Sequence, residues 1–263
     1  MAGRKVVVAG ATGLVGNAAL RHFERAGGAE VVALSRRKPR QLHGARHVAI
    51  DLLDAAQCAR TAPELRDATH LIYAALYEAP NLIDGWRDPR QIDINDRMLR
   101  NLMAALEPVA PALKHVALLQ GTKAYGSHVR PLKVPAREGR SEMYEQPNFY
   151  WAQENFLRDL QKGKAWHFSI LRPVLIVGLA MGGAMDLIPP LGVYAACCAN
   201  RAAISIIPAA RRASARRSMS ICWRAPSPGP AKRLPRATRC STSPMATSSP
   251  GRTSGRPWRM GSA

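Results

Sequence analysis

Not one Asp or Glu follows residue 200 in this chain of 263 residues, although 13 Lys or Arg do. Those 13 cations leave only +7 of the +20 net charge for residues 1–200. A large positive charge ordinarily points to nucleic acid or an anionic membrane. Here it belongs to a tail with no helical basic stripe, no zinc spacing and no regularly interleaved aromatics, so nucleic-acid binding is not expected. Long apolar runs are missing too. No stretch reaches the roughly 18 residues of a membrane helix. The closest, Phe168 to Leu191, is interrupted by Arg172, Pro173, Asp186 and Pro189-Pro190. Met1 to Ala9 is too short for a secretory signal. The five cysteines (Cys58, Cys197, Cys198, Cys222, Cys240) lack metal-ligand spacing, and adjacent Cys197 and Cys198 pair poorly as a disulfide. A reducing, cytoplasmic setting is expected.

What is present reads clearly over the first 198 residues. Short apolar runs at Lys5–Ala9, Glu30–Leu34, His47–Ile50, Thr69–Ala74, Lys114–Leu119 and Trp166–Leu171 predict strands. Helical patterns lie between them, after Leu14 with Leu14, Val15, Ala18, Ala19 and Phe23 on one side, then at Gln91–Leu106 and Tyr150–Gln161. Such alternation predicts an α/β fold with a doubly wound parallel sheet, the Rossmann arrangement. The expected division is a dinucleotide-binding domain over residues 1–198 and a basic Arg/Ser/Pro-rich tail over 199–263.

The first strand runs into Gly10-Ala11-Thr12-Gly13-Leu14-Val15-Gly16, a G-x-x-G-x-x-G turn that opens a helix. Gly10 permits the tight turn, Gly13 lets backbone approach a pyrophosphate, and Gly16 lets helix and strand pack closely. Free N–H groups at the helix start, in the turn that includes Thr12, Leu14 and Val15, would bind the phosphates. The second strand ends at Ser35-Arg36-Arg37-Lys38 with no acid to hold a ribose 2′-hydroxyl. Arg there suits the 2′-phosphate of NADP(H), because a planar guanidinium meets phosphate bidentately. Ser35, Arg36 and Arg37 are the expected contacts. Asp51, with Leu52 beside it, could position the adenine amino group or could be a surface carboxylate, with Asp54 capping the next helix.

Ordinary short-chain dehydrogenases use Tyr-x-x-x-Lys on one helix, where the ammonium lowers the tyrosine pKa. In this chain Glu154 stands four residues after Tyr150. A lysine occurs elsewhere, in Gln120-Gly121-Thr122-Lys123-Ala124-Tyr125-Gly126 after the fifth strand. These two segments resemble the progesterone 5β-reductase/iridoid synthase-like family of atypical short-chain reductases, within the NAD-dependent epimerase/dehydratase-like superfamily. That family carries T-G-x-K-H-Y after this strand and N-F-Y-Y-x-x-E-D at the tyrosine helix. Gly121, Lys123 and Tyr125 match the first motif; Asn148, Phe149, Tyr150 and Glu154 match the second. Gln120, Ala124, Trp151 and Asn155 depart from them. The resemblance extends over residues 1 to about 198, including Leu171-Arg172-Pro173 and Gly178.

The resemblance implies NADPH-dependent reduction of an α,β-unsaturated carbonyl. Tyr150 would hydrogen-bond the oxygen that gains charge, and Lys123 would keep the local potential positive. Tyr150 could instead be a packing aromatic, and Lys123 an exposed loop lysine. Asn95 matches a helix asparagine common in the superfamily, or simply faces solvent. The expected partner is a small-molecule carbonyl compound, with neither nucleic acid nor membrane, and a homodimer is left open. Rival classes are a nucleotide-sugar epimerase/dehydratase-like enzyme and a non-catalytic NADP-binding regulator.

From Arg201 onward no period of 2 or 3.6 is sustained. Arg, Pro, Ser and Ala in bulk are what a GC-rich gene yields when read out of frame. Starting each codon one base earlier from Cys240 to Arg259, with third bases chosen among those permitted, the stretch can read VLDITNGDVFTWPNVWPAMA. The middle base of each new codon is the first base of the present residue's codon, so part of that apolar pattern is forced. The recovered string nonetheless resembles the C-terminal region of the same family. Around Asn200 the same shift can give CREPGGDFHYPGG, placing the expected break near Cys197–Cys198. On this reading the activity belongs to the frame-restored parent, and this chain lacks the elements that would form the substrate pocket.

Overall fold

The computed structural model describes residues 3–79, 85–132, 134–137, 146–178 and 188–200. Strands and helices alternate: β1 (Arg4–Ala9), α1 (Leu14–Ala26), β2 (Ala29–Ser35), β3 (Arg46–Ala49), α2 (Ala55–Leu65), β4 (His70–Tyr73), α3 (Pro89–Leu106), β5 (His115–Leu119), α4 (Phe149–Gln161), β6 (His167–Leu171) and α5 (Ile188–Asn200). Every strand pair is parallel, in the order β3-β2-β1-β4-β5-β6. This is the doubly wound Rossmann sheet the sequence predicts. The strand order reverses beside β1, and the crevice at the carboxyl ends of β1 and β4 is where such sheets take ligands.

The central strands are apolar without interruption because both faces are covered. Val6, Val7 and Val8 of β1 are wholly buried, as are Val32 and Ala33 of β2. On one face Val7, Val32 and Leu71 pack with Leu65 of α2, Leu99, Leu102, Met103 and Leu106 of α3 and Leu157 of α4. On the other, Val6, Val8, Val31 and Ala33 meet Leu20 of α1, with Ala19 and Phe23 around it. The buried stripe of α1 therefore centres on Gly16 and Leu20, while Leu14 and Val15 are only partly covered. Each fully buried Leu or Val contributes about 1.5–3 kcal/mol.

Local chemistry sets the helix starts. Asp54 accepts the Gln57 N–H at the head of α2 (2.9 Å), as the sequence suggests. Asp88 accepts the Arg90 N–H at the head of α3, with Pro89 at the first position, where its missing N–H costs nothing. The same reason lets α5 begin at Ile188-Pro189-Pro190, a segment the sequence suggested only as an interruption. Among the described residues no helix is long and apolar enough to cross a membrane. The expected tail lies outside the described residues apart from the last turn of α5.

Candidate functional site

Gly10 sits at φ +83°, and its amide and that of Ala11 donate to the Leu34 carbonyl at 3.0 and 3.2 Å. A β-carbon on Gly10 would lie 2.6 Å from the Ala74 carbonyl, and one on Gly16 only 2.1 Å from Gly10 O. Both glycines are thus sterically required, for the turn and for the helix–strand approach. Gly13 is the N-cap of α1 and offers no side-chain cap, so the first N–H groups of the helix are not consumed by a capping residue. That is the arrangement an anion uses. Thr12, Leu14 and Val15 line this turn, partly covered.

At the end of β2 the Ser35 hydroxyl donates to the Arg37 carbonyl (2.7 Å), and Arg36 and Arg37 stand exposed beyond it. Asp51 is held in its own turn: Oδ1 accepts the Leu53 N–H at 3.0 Å, while its N–H donates to Gln57 Oε1 at 2.7 Å. Leu52 points into the core at 6% exposure, and its carbonyl accepts from Asn101 Nδ2. A ligand at this turn would therefore meet the Asp51 carboxylate rather than the Leu52 side chain.

The second cluster forms beyond β5 and at the head of α4. Asn148 caps α4 by accepting the Tyr150 N–H (3.0 Å) and donates its amide to the Lys123 carbonyl (2.8 Å). One asparagine thereby fastens the two candidate residues together. Gln120 Nε2 donates to the Tyr150 carbonyl at 2.8 Å, so the Tyr150 peptide is held on both sides. A β-carbon on Gly121 would be 3.6 Å from the Tyr150 hydroxyl, which places that hydroxyl at the carboxyl end of β5. Lys123 is not an exposed loop lysine: Nζ lies 3.7 Å from the Trp86 ring centroid, and Tyr150 packs against the same indole at 5.3 Å. Burial pushes the Tyr150 hydroxyl pKa up, with the Glu78 charge adding to it. Burial also lowers the Lys123 pKa, and Glu78 partly opposes this.

Glu154, one turn after Tyr150 on α4, is engaged by two arginines. It is buried and ion-paired to Arg172 just after β6, while Arg158 donates to its Oε1 from Nη2 at 2.6 Å. Arg172 Nε also donates to Gln120 Oε1 (2.9 Å), and its guanidinium lies 5.1 Å from both the Tyr125 and Trp151 rings. A single arginine thus joins the ends of β5 and β6 to α4.

Residues 45–196 match the model of the PRISE-like Rossmann-fold domain. The chain belongs to this family. PRISE-like relatives include the (S)-8-oxocitronellyl enol synthase of Nepeta cataria, 30% identical over 220 residues, covering 79% of this chain and 55% of that protein. A 3-oxo-Delta(4,5)-steroid 5-beta-reductase of Arabidopsis thaliana is also 30% identical, over 219 residues, with the same coverage of each. The chain spans about half the length of the curated relatives it matches. Among solved structures, the UDP-glucose 4-epimerase of Bifidobacterium longum, in complex with NAD+ and UDP, superposes with a TM-score of 0.55 at 20% identity. That likeness covers 69% of this chain and 56% of the epimerase, and it extends the fold assignment alone.

Within this PRISE-like site the sequence pattern missed three residues. Glu78 Oε1, Trp86 Nε1 and His128 Nδ1 are buried without a hydrogen-bond partner among the described residues, and Trp86 packs on His128 with ring centroids 6.1 Å apart. Burial raises the Glu78 pKa against the pull of Lys123, and it lowers that of His128, helped by Lys123 and Arg87. None of the three belongs to a motif, so no spacing signal pointed to them. Of the two readings of Asn95 the solvent-facing one is excluded, because the residue is wholly buried. Its side chain accepts the Tyr77 N–H (2.8 Å) and donates to the Tyr77 carbonyl (2.9 Å). The neighbouring Ala79 N–H donates to Gln91 Oε1, so the Glu78 segment is stapled to α3 at both ends.

Proposed function

We propose that this chain carries the cofactor half of an NADPH-dependent reductase of α,β-unsaturated carbonyl compounds. The observation that carries this reading is the Tyr150 hydroxyl at the carboxyl end of β5, sharing the Trp86 indole with Lys123, while Glu154 is engaged elsewhere. The turn from Gly10 to Gly16, with Thr12, Leu14 and Val15, would hold the pyrophosphate. Arg36 and Arg37 would face the 2′-phosphate from the turn that Ser35 anchors. The expected Ser35 contact is replaced by the bond its hydroxyl donates to the Arg37 carbonyl. Asp51 beside Leu52 would face the adenine. NADPH held by these residues would supply hydride to the β-carbon of the substrate. Charge then grows on the carbonyl oxygen, where Tyr150 donates a hydrogen bond as a neutral phenol. With no ammonium one turn further along α4, and with burial raising its pKa, Tyr150 stays protonated through the neutral range. Lys123 keeps the potential at the developing oxyanion positive. One such donor is worth about 10²-fold or more in rate.

The same reading assigns residues 199–263 to out-of-frame translation and the reductase activity to the frame-restored parent. It draws support from apolar side chains left uncovered after β5. Val174 is 61% exposed and Val193 65%, and Leu171, Val177, Ile188 and Leu191 are exposed with them. The test uses the frame-restored protein and a panel of enones with NADPH. Tyr150→Phe should lower kcat by about 10²-fold while leaving NADPH affinity nearly unchanged. Full activity in that variant removes Tyr150 from the mechanism, and no reduction of any enone favours the regulator.

A further inference from the structure

A hydrogen-bond chain runs through the end of β2 from a residue that the cofactor motif does not include. His47, on β3, brings Nε2 to 3.2 Å from both Ser35 Oγ and Ser35 O. A carbonyl oxygen can only accept, so Nε2 carries the proton. Ser35 then passes its own single proton to the Arg37 carbonyl at 2.7 Å. Ser35 is 9% exposed, so water competes little for either bond. The direction of the chain is fixed: His47 donates to Ser35, and Ser35 donates to Arg37.

Two consequences follow for an anion at this turn. The Ser35 hydroxyl has no proton left to offer, so the donors available are the Arg36 and Arg37 side chains and the turn's own amides. The Arg37 carbonyl, whose negative end would repel a phosphate, is tied back to the end of the strand. We propose that His47 is a positioning residue for the Ser35–Arg37 turn and thereby a determinant of the preference for NADPH over NADH. This rests on the NADP reading of Arg36 and Arg37. Removing the His47 donor frees the Ser35 hydroxyl to rotate and unties the turn, which weakens binding of the 2′-phosphate and leaves the pyrophosphate turn at Gly10–Gly16 untouched.

The full-length chain is titrated with NADPH and with NADH, following nucleotide fluorescence, as unmutated protein and as His47→Phe, His47→Gln, Ser35→Ala and Arg36→Asp. His47→Phe should lose about fivefold in NADPH affinity, the weight of one hydrogen bond, with NADH changing less than about twofold. His47→Gln, which keeps a side-chain N–H donor, should recover most of the loss. Ser35→Ala breaks the next bond in the chain with little change of volume, and should reproduce the effect if His47→Phe proves unfolded by circular dichroism. Equal losses for both nucleotides, or an unchanged ratio in folded His47→Phe and Ser35→Ala, overturn the role of His47. If the unmutated chain shows no preference and Arg36→Asp changes nothing, the NADP reading fails and the role of His47 falls with it.

Discussion

Tyr150 and Tyr73 are the two phenols whose burial most affects how the fold responds to pH. Tyr73 is buried on β4 with its hydroxyl unpartnered among the described residues, and both pKa values are pushed up by desolvation. Cys58 is likewise raised, to about 11, by burial and by the charges of Asp54 and Asp51. For each group the folded state holds its proton at a pH where the unfolded chain has released it. Above the unfolded pKa the unfolded state therefore binds fewer protons, and stability falls as pH rises. The urea midpoint should be flat between about pH 7 and 8.5 and decline from about pH 9 as Cys58 enters. It should steepen above about pH 10, where free tyrosine ionises. Tyr73→Phe should reduce the alkaline decline and cost little at neutral pH, because the lost hydroxyl had no partner. An alkaline decline unchanged in Tyr73→Phe would contradict this account of Tyr73.

Among the elements, α4 shows why an ordinary short-chain dehydrogenase tyrosine helix cannot simply be grafted here. Glu154 and Arg172 are 7% and 11% exposed at their side chains, so their pairing is a buried one, whereas Arg158 is 59% exposed and counts for less. Glu154→Lys would restore the usual Tyr-x-x-x-Lys spacing but set a third cation against Arg172 and Arg158. The expected result is a loss of about 3–5 kcal/mol in urea unfolding, with no gain of activity in the frame-restored protein. Glu154→Gln, which keeps an acceptor for Arg172, should cost less. A Glu154→Lys protein as stable as the unmutated one would show that the Arg172–Glu154 pair contributes nothing net. The spacing of Tyr150 and Glu154 was legible in the sequence. The use of Glu154 was not, because its partner lies 18 residues further on and meets it only when β6 pairs with β5.

For the whole molecule, the decisive comparison is between a real basic tail and an out-of-frame one. A real tail could be deleted from residue 201 with loss of charge and little else. An out-of-frame tail implies that the parent continues with apolar and acidic residues, which would cover the side chains around Leu171, Val174 and Val193. Restoring the frame by one base near Cys197 should then raise solubility and steepen the urea dependence of unfolding, since more surface is buried. It should also create enone reductase activity beyond that of the present chain. If the restored protein shows no steeper unfolding and no better solubility than the chain as it stands, the frameshift reading fails.

Much of the sheet was written locally, and that is why it could be read. The turn at Gly10–Gly16 is set by positive φ and by missing β-carbons, properties of single residues. The strands show as apolar runs because a parallel sheet is covered on both faces, and Asp54 caps α2 three residues from its partner. The missing acid after β2 needed no structure to be noticed. What the sequence could not determine are the meetings of residues far apart along the chain. Lys123 reaches Trp86, Gln120 holds the Tyr150 carbonyl, and His47 binds Ser35 across two strands. The Asn95 side chain, which matched the superfamily's helix asparagine as well as a solvent-facing residue, is spent on the backbone of Tyr77. These contacts follow from strand order, which places β4 beside β1 and β5 beside β4 and lets α3 and α4 close over one face. Local sequence set the elements and the glycine turn; tertiary packing decided which charges face one another at the candidate site.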